Sequence, residues 1–113
     1  MEHKEKLEKY FETFSNQDLD GLNEMFADEV ILADWDIRAE GKEAVLEANK
    51  NIFQSVDTIK VIPYFYYVGE EGCAIEIDVI VNSGQETEEV LQVVDIISFN
   101  EEGLIQSIEA YKR

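Results

Sequence analysis

Histidine and cysteine each occur once, as His3 and Cys73, which removes most of the chemistry these residues perform. A lone Cys forms no internal disulfide. Neither residue has a partner at zinc-ligand spacing, and a Ser–His or Cys–His nucleophile pair would need His3, near the chain start, to reach the core. Cations are scarce as well: nine Lys and Arg stand against 26 Asp and Glu, a formal net charge of −17. Binding a phosphate backbone draws its affinity from clustered Lys and Arg, so nucleic acid is excluded as a partner. The same charge repels an anionic membrane surface. The six glycines are scattered rather than gathered into a phosphate-cradling loop. No apolar run approaches roughly 18 residues, so no membrane span is expected. The opening MEHKEKLEKY carries no apolar signal core, and the expected location is the cytoplasm.

What is present is a core, many carboxylates and several tyrosines. A length of 113 residues with 45% hydrophobic content suits one globular domain over residues 1–113. Residues 3–15 are predicted helical, because Leu7, Tyr10, Phe11 and Phe14 recur at i, i+3, i+4, i+7 while Glu5, Glu8, Lys9 and Glu12 face outward. Asn16-Gln17 ends that helix, and Asp18 caps a shorter one carrying Leu19, Leu22, Met25 and Phe26. Val30 to Trp35 is predicted as a strand, Asp36 to Gly41 as a loop, and Lys42 to Gln54 as a third helix burying Val45, Ala48, Ile52 and Phe53.

The second half changes period. Thr58–Val68, Cys73–Asn82, Thr87–Phe99 and Leu104–Lys112 are predicted as four strands in a meander, separated by the turn segments GEEG, SGQE and NEEG. Helices followed by a long antiparallel sheet define an α+β layout. The acidic clusters coincide with these turns, where charge is solvated.

Two carboxylates sit where apolar residues belong. In Leu91, Val93, Asp95, Ile97, Phe99 the strand alternation puts Asp95 in the middle of an apolar face. An unpaired, ionised carboxylate there costs several kcal/mol, on the order of its desolvation penalty. Either it stays protonated with a raised pKa, becoming a hydrogen-bond donor, or it is a structural Asp bonded to backbone or paired with Lys or Arg. Asp34 shares a strand face with Val30 and Leu32, or else marks the strand's exit into a loop. Tyr10 lies on the buried stripe of the first helix, where its hydroxyl needs an interior partner that Phe would not.

The chain resembles the nuclear transport factor 2-like superfamily and, within it, the ketosteroid isomerase-like (SnoaL-like) branch. The resemblance is carried by Tyr10-Phe11 through Asn16-Gln17-Asp18-Leu19-Asp20-Gly21-Leu22, by Phe26-Ala27-Asp28-Glu29-Val30, and by Glu40-Gly41-Lys42-Glu43-Ala44. It continues in Asp95 to Gly103 and Ile108-Glu109-Ala110, and so covers nearly the whole chain. It implies a cone: a strongly bent antiparallel or mixed sheet, a cystatin-like roll, wrapped around three helices with a pocket between them. It also implies that Asp34 is a general base and that Tyr10 and Asp95 are oxyanion donors, acting on a small apolar carbonyl compound with no metal and no other cofactor. Phe14, Trp35, Phe53, Tyr64, Tyr66 and Phe99 are the expected lining. Related dehydratases and cyclases rely on a pocket His, which is lacking here, and related epoxide hydrolases use an Arg–Asp pair, for which Arg38 is the candidate. A non-catalytic binding or accessory module of the same fold is the alternative. The apolar outer face with Val90, Val94 and Ile96 implies a two-fold homodimer.

Overall fold

The computed structural model describes residues 2–113. In chain order the elements are α1 (His3–Ser15), α2 (Leu19–Met25), β1 (Phe26–Ala33), β2 (Arg38–Glu40), α3 (Lys42–Gln54), β3 (Ile59–Val68), β4 (Gly72–Val81), β5 (Glu89–Phe99) and β6 (Ile105–Lys112). The helical stripes behave as their spacing requires: Leu7, Tyr10 and Phe11 of α1 and Val45 and Phe53 of α3 are buried. Asp18 caps α2, its side chain accepting a hydrogen bond from the Gly21 N–H at 3.0 Å. A Cβ at Gly21 would meet the Asp18 carboxylate and the Thr13 methyl, so a side chain there would displace the cap.

The six strands form one sheet in the order β2-β1-β6-β5-β4-β3. β3 to β6 pair as the expected antiparallel meander, with boundaries within two residues of those read from the sequence. Two features go beyond that meander, the first in line with the mixed sheet that the resemblance implies. The first strand begins at Phe26 and ends at Ala33, and it pairs in parallel with β6, so the sheet is mixed. The segment expected as a loop after Trp35 contains β2, which folds back antiparallel onto β1. Asp34 and Trp35 therefore sit in the turn between β1 and β2, past the end of the strand.

The inner face of the sheet, with Ile75, Ile77, Val93, Ile97 and Ile108, packs against Leu7, Phe11, Leu22, Val45 and Phe53 of the helices. Each such burial contributes about 1.5–3 kcal/mol. The single proline, Pro63, stands in β3, an edge strand where a missing N–H is tolerated. Beside it the β3–β4 register shifts between Pro63 and Phe65. That irregularity resets the alternation, so that Tyr64 and Phe65 are both exposed. Among the described residues no helix is long and apolar enough to cross a membrane.

Candidate active site

A cavity of about 250 Å³ opens between the helices and the inner face of the sheet, room for about eight waters. Most of its wall is branched aliphatic, supplied by Ile52 and Val56 near the end of α3 and by Val61, Val79, Leu91 and Val93 of the strands. Its polar groups are few: Tyr10, Asp34, Asp36, Asn49 and Asp95. Among the described residues no Lys, Arg or His lines it. Among the described residues its acids are not grouped as a metal-ion site.

Asp95 stands on β5 in the inward row, 7% exposed. Among the described residues its carboxyl has no hydrogen-bond donor and no cation paired to it, so the structural alternative of a bonded or ion-paired Asp is not realised. Burial, and secondarily the charge of Asp34, pushes its pKa up to about 7. Much of it is therefore protonated at neutral pH, and a protonated carboxyl donates a hydrogen bond. Tyr10, 5% exposed, reaches the cavity from α1. Its ring is held among Phe11, Phe14 and Phe26, with centroids 5.4, 6.3 and 6.3 Å away. Burial, then the Asp95 charge, drives its pKa far above the ordinary phenol range, so it remains a hydroxyl donor. Among the described residues the only enclosed side-chain oxygen or nitrogen without a partner is the Tyr66 hydroxyl. The Tyr10 hydroxyl and Asp95 carboxyl, equally without protein partners, thus open onto cavity space.

Asp34 lines the same cavity and also shapes its turn. Its Oδ1 accepts the N–H groups of Asp36 at 2.7 Å and Ile37 at 2.6 Å, and its own N–H donates to the Ile37 carbonyl at 2.8 Å. These bonds fix the carboxylate through one oxygen, and Oδ2 has no protein donor among the described residues. Of the two sequence readings of Asp34, the exit from the strand is the one the structure shows: it follows Ala33 in the turn and lines the cavity from there. Trp35, 41% exposed, lines the cavity beside it, with Lys112 Nζ 5.2 Å from its ring centroid.

Of the expected aromatic lining, Phe14 and Trp35 reach the cavity. Four others do not. Phe53 packs edge-on behind Phe14, with centroids 5.1 Å apart. Tyr64, 54% exposed, falls on the outer face in alternation with the inward Ile59 and Val61 and donates to Asp78 at 2.6 Å. Tyr66 faces α1 instead, where Lys4 Nζ lies 5.4 Å from its ring. Phe99, at the far end of β5, sits under the start of α1 against His3 and Lys6. Arg38 is exposed, 3.7 Å from Glu40, and does not line the cavity, which removes the Arg–Asp pairing. Asn49 went unread, although its position four residues after Val45 put it on the buried stripe of α3.

The model of the SnoaL-like domain family matches residues 7–108. No curated protein matches the chain. Solved structures share its fold at low identity. A SnoaL-like family protein from Agrobacterium tumefaciens is 14% identical, with 98% of this chain and 97% of that one covered and a TM-score of 0.82. The epoxide hydrolase/cyclase-like enzyme SalBIII of pyran ring formation in the polyether salinomycin is 19% identical, with 98% and 90% covered and a TM-score of 0.85. A protein of ketosteroid isomerase-like fold from Catenulispora acidiphila, in complex with trimethylamine, is 14% identical, with 95% and 84% covered and a TM-score of 0.84.

Proposed function

We propose, from the premise that the chain belongs to the SnoaL-like domain family, that it transfers a proton at carbon next to the carbonyl of a neutral, largely apolar small molecule. The observation that carries this reading is the pairing of two unpartnered donors, Tyr10 and protonated Asp95, with the Asp34 carboxylate around one apolar cavity. Asp34 takes the proton from the α-carbon and returns it elsewhere on the same molecule. The electron pair left behind moves onto the carbonyl oxygen. That enolate oxygen accepts hydrogen bonds from the Tyr10 hydroxyl and the Asp95 carboxyl, which count most where water is excluded. With no cation in the lining and a net charge of −17, an anionic substrate is disfavoured. The chemistry needs no metal and no organic cofactor.

A planar phenol, 2-naphthol, mimics the enolate and tests the donor pair. Two charge-assisted bonds of about 1.5 kcal/mol each amount to roughly a hundredfold in affinity. Tyr10→Phe, Asp95→Leu in combination should lose that factor in a fluorescence titration. Equal affinity of wild type and double variant would dismiss the oxyanion hole.

Ligand binding without chemistry is the second reading, and one observation favours it: Asp34 Oδ1 is already occupied by two backbone donors. In that case 2-naphthol binds through Tyr10 and Asp95 while ketones are left unchanged.

The molecule pairs, in the same proposal, with a second copy of itself through the outer sheet face. Tyr64, Phe65, Tyr67, Val90, Ile96 and Tyr111 are exposed there, large apolar side chains on one face of the kind that associates. Glu76, Asp78 and Glu109 lie among them, accepting bonds from Tyr67, Tyr64 and Tyr111. Pairing brings these like charges together, so salt should strengthen it. Sedimentation equilibrium should give twice the chain mass of 13.0 kDa, with tighter association at high salt. The monomer mass at every salt concentration would remove the dimer.

A further inference from the structure

Asn49 is 3% exposed and lies on the wall of the cavity, where an aliphatic residue would suit the helix stripe as well. A buried amide costs about 1–3 kcal/mol unless its groups are bonded. Its Nδ2 donates to the Val45 carbonyl at 3.0 Å. A backbone carbonyl only accepts, so this bond fixes which end of the amide is which. Oδ1 is the remaining end. Among the described residues it has no partner and is not fully enclosed, and the residue that carries it lines the cavity. An acceptor therefore faces the pocket from the helical wall, on α3, while the donor Asp95 stands on the sheet, on β5.

The rest of the lining sharpens what this acceptor can read. Tyr10 and protonated Asp95 present donors, which suit a carbonyl or enolate oxygen. Asn49 Oδ1 presents the complementary sign, which suits a hydroxyl hydrogen. Most of the remaining wall is aliphatic and offers such a hydroxyl no other match. A site built to bond a substrate hydroxyl discriminates against the analogue lacking it, because the protein group is then left unpaired.

We infer that Asn49 is a specificity-determining residue that binds a hydroxyl group of the substrate, so that the compound taken is a hydroxylated carbonyl compound rather than a simple ketone. This rests on the proposed proton-transfer reading only in assigning the carbonyl end to Tyr10 and Asp95.

The test compares 2-naphthol with its 1,6-, 2,6- and 2,7-dihydroxy relatives on the wild-type chain, Asn49→Leu and Asn49→Ala. At least one diol should bind wild type about tenfold more tightly than 2-naphthol, the worth of one bond of about 1.4 kcal/mol. Asn49→Leu should erase that preference while binding 2-naphthol as wild type does, and Asn49→Ala repeats the comparison should the Leu variant not fold. Absence of any diol preference on wild type overturns the inference, as does a preference that survives in either Asn49 variant. Insensitivity of 2-naphthol itself to the Tyr10→Phe, Asp95→Leu pair counts against the proton-transfer reading instead, and the Asn49 comparison is read separately from it.

Discussion

Asp34→Asn should slow the isomerisation of a β,γ-unsaturated ketone by roughly 10²–10⁴-fold, the usual contribution of a positioned general base. This variant separates the two roles of the residue. The amide Oδ1 of Asn can accept the same two N–H groups, from Asp36 and Ile37, that the carboxylate accepts now. The turn between β1 and β2 is thereby kept, and at a pH low enough to keep Asp95 protonated in both proteins 2-naphthol should bind the variant about as well as it binds wild type. What disappears is the basic oxygen. The rise in conjugated-enone absorbance gives the rate, and an unchanged thermal melt shows that the loss is chemical. The pH dependence should move as well. Asp34's charge is one of the two causes that raise the Asp95 pKa, so its removal lets Asp95 ionise at lower pH. In wild type the rate should fall as pH rises through about 7, when Asp95 ceases to be a donor. A variant that turns over at the wild-type rate would leave Asp34 with its turn and nothing more.

Asp95→Asn should stabilise the protein at pH 8 by about 4 kcal/mol and change little at pH 4. The Asp95 carboxyl has a pKa of about 7 in the fold against an ordinary value of 3.8. Each pKa unit corresponds to about 1.4 kcal/mol of linkage. Below pH 4 the group is protonated in both folded and unfolded chains, and its burial carries no ionisation cost. Between pH 4 and pH 7 the folded chain holds a proton that the unfolded chain releases, so stability falls as pH rises. Above pH 7 both states are ionised, and the full cost of a buried, unpaired carboxylate is present. Asn is uncharged throughout and close in shape, so the difference between the two proteins isolates this one group from the other acids. Urea unfolding at pH 4, 6 and 8 measures it. A variant less stable than wild type at pH 8, or a difference constant with pH, would show that Asp95 is ion-paired or hydrated in the fold. The expected trade is a more stable protein whose oxyanion donor is a neutral amide N–H in place of the carboxyl O–H, the usual relation between an active site and the fold that carries it.

These two carboxylates also show where the sequence was legible. Asp95 could be found because a period of two is local: one polar residue in an inward row of five is visible without knowing which strands pair. Tyr10 was visible on the same ground in α1, at a period near 3.6. The parallel pairing of β1 with β6 was not, because it joins segments more than 70 positions apart and leaves no local pattern. The placement of the tyrosines in β3 failed for a different reason. One register shift beside Pro63 reverses the parity of the residues after it, which turns Phe65 outward and sets Tyr66 against α1, while Tyr64 keeps the outward side set by the alternation from Ile59 and Val61. Asn49 was legible in principle, as a polar residue on a buried helical stripe, but its meaning depends on a cavity that the bend of the sheet creates. The family resemblance located the pocket, whereas its aliphatic wall emerges only from the packing of α3 against the strand ends.

The most direct measurement is hydrogen–deuterium exchange at the α-carbon of a simple bound ketone in D₂O, followed by NMR, because it reads proton abstraction without requiring the natural substrate. Wild type should exchange the α-protons well above the buffer rate, while Asp34→Asn and the Tyr10→Phe, Asp95→Leu pair fall back to it. A ketone that demonstrably occupies the cavity of the wild-type protein yet exchanges no faster than in buffer would contradict proton transfer and leave a binding module.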